Sequence, residues 1–167
     1  MKPPPVLRAA RPTDVPALAR LRYEFRSEIE PPGEEAQAFI ARCSPWMEKR
    51  LGDGTAWRAW VAEGGADPGG MIWLQLVEKL PNPVAEPEWH GYVTSLYVRP
   101  EWRAAGLGSA LLQAALEECD RRGVDAVFLW PTPRSRSLYE RHGFGVREEV
   151  MVRGGGSRGQ EPLAVSR

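Results

Sequence analysis

Residues 99–112, RPEWRAAGLGSALL, place Gly106 and Gly108 between an arginine-bearing turn and an apolar run with helical spacing. A glycine inside a helix costs about 1 kcal/mol relative to alanine, so two of them at a helix start call for a reason. The preceding stretch, WHGYVTSLYV (89–98), is rich in aromatic and β-branched residues, as a strand is, and Pro100 ends it. The following stretch puts Leu111, Leu112, Ala115, Leu116 and Cys119 on one helical face, with Arg121, Arg122 and Gly123 as a C-terminal cap. Strand, turn and helix in this order leave backbone N–H groups open at a helix N-terminus, where a phosphate or pyrophosphate binds well. Glycines let the anion approach the backbone closely, and Arg103 adds an ionic donor beside them.

The spacing discriminates among phosphate ligands. No Lys-Ser/Thr follows the glycines, which excludes the P-loop, and Leu111 stands where a dinucleotide fingerprint needs its third glycine. A GxSxG nucleophile elbow is also missing. What remains is Arg-x-x-Gly-x-Gly.

The rest of the chain predicts a mixed α/β domain (α+β), with helices flanking the strands. VLRAA (6–10) reads as a strand, and a helix capped by Thr13 runs through Leu18, Leu21, Phe25 and Ile29 to the PPG at 31–33. A second helix is expected over 34–50. Strands at 56–63 and 70–78 form a hairpin around GGADPGG. VDAVFLW (124–130) has the continuous apolar character of a strand buried on both faces. A short helix over Arg134–His142 and a last strand over 144–152 complete the domain, 1–153. The tail 154–167 lacks periodicity and large apolar residues, and is expected to be disordered.

Charge and cysteine content bound the partners. Lys+Arg and Asp+Glu are 22 each, so the chain lacks the basic balance of a general nucleic-acid or anionic-membrane binder. Cys43 and Cys119 belong to no CxxC or cysteine–histidine cluster, so neither a metal nor a disulfide framework is expected. The start carries no signal-peptide pattern and no run reaches membrane-spanning length, which makes the cytoplasm the expected location. Glu24, Glu28, Glu30, Glu34 and Glu35 surround the break between the first two helices. They form either a receiving surface for a cationic amine or a solvated acidic face. Trp73 and Trp89 are candidates for lining an acceptor pocket.

LYVRPEWRAAGLGSALLQAALE (96–117), followed by LWPTPRSRSLYERHGF (129–144), resembles the core of the GNAT N-acetyltransferase superfamily, and RPTDVPALARLR (11–22) is similar to its opening helix. The resemblance implies a single domain with a mixed sheet splayed between the LYV and VFLW strands, and acetyl-CoA as cosubstrate in the gap. It implies that the loop Arg103, Ala104, Ala105, Gly106, Leu107, Gly108 and Ser109 holds the pyrophosphate. Leu96, Tyr97 and Val98 would pair with pantetheine by backbone, while Thr132, Ser135 and Tyr139 complete the cofactor site. Leu96 N–H would serve the oxyanion and Tyr139 would protonate the departing thiolate. The acceptor would be a small-molecule or peptide primary amine, attacking the thioester directly, on a monomer or homodimer. Two positions depart from the family. Thr132 stands where many relatives carry asparagine, and Tyr92 where many carry a glutamate base. His90, two residues earlier on the same strand face, is the candidate base acting through water. These departures keep open a second reading, a non-catalytic acyl-CoA sensor or partner-binding module.

Overall fold

A computed structural model describes residues 6–53 and 56–153; the expected tail, 154–167, lies outside the described residues. The chain divides into a unit ending at Pro131 and a second beginning at Thr132. The first holds β1 (Val6–Ala9), α1 (Val15–Ile29), α2 (Ala36–Asp53), β2 (Trp57–Glu63), β3 (Pro68–Glu78), β4 (Trp89–Val98), α3 (Leu107–Arg122) and β5 (Ala126–Phe128). The second holds α4 (Arg136–Arg141).

The sheet order is β1-β2-β3-β4-β5, antiparallel from β1 to β4 and parallel between β4 and β5. The mixed, helix-flanked sheet expected from the sequence is present. Val15, Leu18 and Leu21 of α1, with Met47 of α2, pack on Ala59, Val61, Met71, Trp73 and Tyr97. Leu111, Leu112, Ala115 and Cys119 of α3 are buried as well. Gly70 and Gly91 show where α3 lies: a Cβ there would meet Leu111 and Cys119. Each large side chain fully buried in these layers contributes about 1.5–3 kcal/mol relative to exposure.

Three expectations need correction. The α1 region starts with a short 3-10 turn over Pro12–Asp14, and Asp14 rather than Thr13 precedes the α-helix. Asp14 bridges to Arg8 at 2.7 Å and accepts the Arg11 N–H, so its carboxylate organises this entry. β5 is only three residues long and partly exposed, because it is paired on one side alone among the described residues. Residues 144–152 form no strand. A strand needs a partner, and among the described residues none pairs with this stretch. Val146, Val150 and Met151 accordingly stay exposed.

Candidate active site

Two features of β4 build the site. The first is its edge. β5 pairs with β4 only across His90–Tyr92, so from Val93 to Val98 that edge has no strand beside it among the described residues. The second is a bulge. Met71 pairs with Tyr97 and Trp73 with Thr94, so Ser95 and Leu96 together stand opposite Ile72. Ser95 takes a left-handed φ of 54°, which costs a non-glycine residue roughly 1 kcal/mol or more. The extra residue returns Tyr97 to the face shared by Tyr92 and Thr94, and leaves Leu96 at the open edge.

The chain then turns into α3. The Arg99 N–H donates to the Gly69 carbonyl at 2.9 Å, tying the exit of β4 to the start of β3. Trp102 lies so close over Gly64 and Gly69 that a Cβ at either would fall within 2.7 Å of its ring. The loop beyond this anchor is exposed at Ala104, Ala105 and Gly106. Ala104 (φ 65°) and Gly106 (φ 75°) are both left-handed, and Gly106 caps α3. The first α3 bond runs from the Ala110 N–H to the Gly106 carbonyl, and no backbone carbonyl of the described residues meets the N–H groups of Ala104 to Gly108. This is an open, positively polarised helix start.

Arg103 does not aim its side chain into that loop. Its guanidinium donates to both Glu28 carboxylate oxygens at 2.7–2.8 Å and to the Val98 carbonyl at 2.7 Å, and it lies over the Tyr97 ring. Tyr97 is buried and donates its hydroxyl to Glu28 at 2.7 Å, which leaves only its backbone for a ligand. Burial and the adjacent carboxylate push the Tyr97 phenol well above its ordinary value. Four of the five residues of the acidic cluster, Glu28 included, are likewise spoken for. Arg99 grips both Glu24 oxygens at 2.8 Å, Arg26 pairs with Glu30, and Arg42 pairs with Glu34.

The opposite charge is the one left over. Arg22 of α1 points at the bulge and donates to the Ser95 hydroxyl at 3.0 Å, with its guanidinium 5.7 Å from the Phe25 ring centre. No carboxylate lies within ion-pair distance among the described residues. Burial draws Arg22 below the ordinary arginine value, and the like charge of Arg26 adds to this, against weaker influences of Cys43 and Tyr92. Sequence reading missed this residue, although a signal existed: position 22 falls on the apolar stripe of Leu18, Leu21 and Phe25. Beside it, Tyr92 stacks on Phe128 at 5.3 Å and meets Trp130 edge-on at 5.3 Å.

His90 shares the face of Tyr92 and Thr94, as its pairing with Val77 requires. Its Nδ1 is enclosed without a hydrogen-bond partner, and its ring packs edge-on against Phe128. Six residues separate it from Leu96, roughly 20 Å of strand, which is too far for one bridging water. Trp73 is core, packed with Trp46 and Trp57, whereas Trp89 sits at the half-exposed start of β4.

In the second unit, the Thr132 N–H and hydroxyl both reach the Ser135 hydroxyl at 2.9 Å, forming the turn that starts α4. Tyr139 is 8% exposed, with its ring 5.8 Å from Phe144. Burial pushes its phenol above the ordinary value, partly offset by Ser135.

The model of the acetyltransferase (GNAT) family matches residues 18–144 of this chain. The chain belongs to the GNAT family. An uncharacterized N-acetyltransferase of Methanocaldococcus jannaschii is 31% identical over 113 residues, 63% of this chain and 45% of the relative, so the match spans less than half of that protein. A GCN5-related N-acetyltransferase from Ralstonia eutropha superposes with a TM-score of 0.69 at 29% identity, covering 91% of this chain and 99% of the other. A predicted acetyltransferase of Clostridium acetobutylicum, solved with acetyl-CoA, shares the fold at a TM-score of 0.77 and 18% identity, covering 90% and 96%. The GNAT chain therefore has the fold its motif implied. No helix among the described residues is long and apolar enough to cross a membrane.

Proposed function

We propose that this GNAT protein transfers an acetyl group from acetyl-CoA to a primary amine by direct attack on the thioester. The observation that carries the reading is the pairing of an unpartnered β4 edge with an exposed, left-handed loop at the N-terminus of α3. The donor set fits a diphosphate: among the described residues, five successive N–H groups from Ala104 to Gly108 lack a backbone acceptor, and no N-cap side chain bonds the helix start. Leu96, Tyr97 and Val98 lie on the open edge, where backbone groups add to an extended amide chain as a strand would. Acetyl-CoA supplies the activated acyl group. The Leu96 N–H, held by the bulge, serves as donor to the charge that develops on the carbonyl oxygen. Tyr139 gives its proton to the departing sulfur, a role that rests on the SLYERHGF pattern and on a phenol that burial keeps neutral.

The Arg103 contribution is mechanical in this reading. Its side chain ties the loop to α1 through Glu28, and its backbone continues into the anion cradle. Glu28 carries two strong donors already, so it makes a poor base. The test is thiol release from acetyl-CoA with a panel of primary amines, against an amine-free control. Amine-dependent release supports transfer. Acetyl-CoA binding without release for any amine turns the reading toward a binding module.

A further inference from the structure

The α1 helix carries Arg20, Arg22 and Arg26. Arg20 pairs with Asp67 at 2.8 Å and Arg26 with Glu30 at 2.7 Å, both near the surface. Arg22 alone of the three is turned inward, to the strained Ser95 of the β4 bulge, and it has no counter-ion among the described residues. A guanidinium offers five N–H donors, and here a single hydroxyl accepts. Removing a charge from water without a partner is costly, so a chain keeps one where something else supplies the opposite charge. The carboxylates nearby in sequence, Glu24 and Glu28, are held instead by Arg99 and Arg103. The groups that do act on Arg22 are Arg26, Cys43 and Tyr92.

We infer that Arg22 receives an anionic group of the acceptor, so that the substrate class is an amine whose own skeleton carries a carboxylate or a phosphate. This rests on the transferase reading above and adds its specificity. Arg22 is well placed for this, because Ser95, which it contacts, adjoins Leu96 at the open edge where the acyl group would be presented. An anion on Arg22 places the remainder of a short acceptor between α1 and that edge. The stacked Tyr92 and Phe128 rings, with Trp130 edge-on to both, form an aromatic cluster beside it. Arginine suits carboxylate and phosphate alike, because both accept two parallel N–H bonds.

Matched acceptors separate the sources of charge: β-alanine against its methyl ester, and phosphoethanolamine against ethanolamine. For at least one pair, kcat/KM is expected to favour the anionic member by about 10- to 100-fold, the range of a lost charge-assisted bond. Arg22→Met should erase that preference through KM while acetyl-CoA affinity holds. The unliganded variant should also melt at a higher temperature than wild type, because an unpaired, half-buried charge has been removed. A lower melting temperature, with the anionic preference intact, would overturn the inference and leave Arg22 as an anchor for the bulge. If no amine releases thiol, the transferase reading fails separately, and Arg22 is then judged by heat protection at saturating CoA. Phosphoethanolamine should protect wild type but not Arg22→Met; equal protection contradicts the inference.

Discussion

The two sides of β4 were unequally visible in the sequence, and the contrast has a physical origin. The loop and helix from Arg103 to Arg122 are a local device. Their glycines, the α3 apolar stripe and the left-handed cap at Gly123 all act on neighbours a few residues away. The α1 side is a long-range device. Arg22 meets Ser95 across 73 residues, and Glu24 and Glu28 meet Arg99 and Arg103 across 75. A charge's partner over that distance is decided by folding, so of five acidic residues that read as either a receiving surface for a cation or a solvated face, four become ion-pair partners within the chain. Arg22 keeps no carboxylate partner among the described residues.

The greatest change is expected in the chemistry, with both sides of β4 left in place. Tyr139→Phe keeps the ring and removes the proton donor. kcat should fall by about 10²-fold with acetyl-CoA affinity little changed. Because the folded phenol titrates above its ordinary value of about 10, it stays protonated at neutral pH and loses its proton only in the alkaline range. The wild-type kcat should therefore hold through neutral pH, and its decline from this group should come only in the alkaline range, later than for a free phenol. An unchanged kcat, with chemistry shown to limit the rate, would remove Tyr139 from the reaction.

A smaller effect probes how closely α3 is fitted to the sheet. A Cβ at Gly91 would lie 2.9 Å from the Cys119 Sγ and 3.4 Å from Leu74 and Val127. Gly91→Ala should cost about 1–3 kcal/mol by overpacking. Adding Cys119→Ala should recover part of that loss, a coupling read from urea melts of the four proteins in the cycle. Full additivity would mean that α3 sits further from β4 than described. Cys119 itself has a thiol pushed up to about 11 by burial, which agrees with a packing role.

The mildest change tests whether the two sides are independent. Glu28→Gln weakens the tie from α1 to Arg103 and Tyr97. Both members of the Glu28–Arg103 pair are partly exposed, so the loss should be about 1 kcal/mol or less. Acetyl-CoA affinity should stay within a few-fold of wild type by titration calorimetry, because the anion cradle consists of backbone. A large loss of affinity would show that the loop depends on the α1 side.

The elements that sequence reading located well are those with a strong period or a local terminator. β4 and α3 match residue for residue, because Pro100, Gly106 and Gly123 punctuate them. The expected strand over 144–152 failed because alternation alone cannot supply a hydrogen-bonding partner. The bulge at Ser95 was invisible for a related reason. VTSLYV reads as one strand, and only the register against Met71 and Trp73 exposes the extra residue. Arg103 lies between Pro100 and Gly106, and its side chain follows Glu28, a partner 75 residues away that no local pattern announces.

Whether the α3 N-terminus and the open β4 edge hold acetyl-CoA is decided most sharply at Gly106. Its φ of 75° disfavours any β-branched residue, while a Cβ there meets no protein atom within 4 Å. Gly106→Val would thus disturb the cradle without crowding the core. Calorimetric titration of acetyl-CoA should give saturable one-site binding to wild type and a loss of at least about 100-fold in the variant, with the circular dichroism spectrum retained. Wild-type affinity in a folded Gly106→Val protein would mean that the cofactor binds elsewhere.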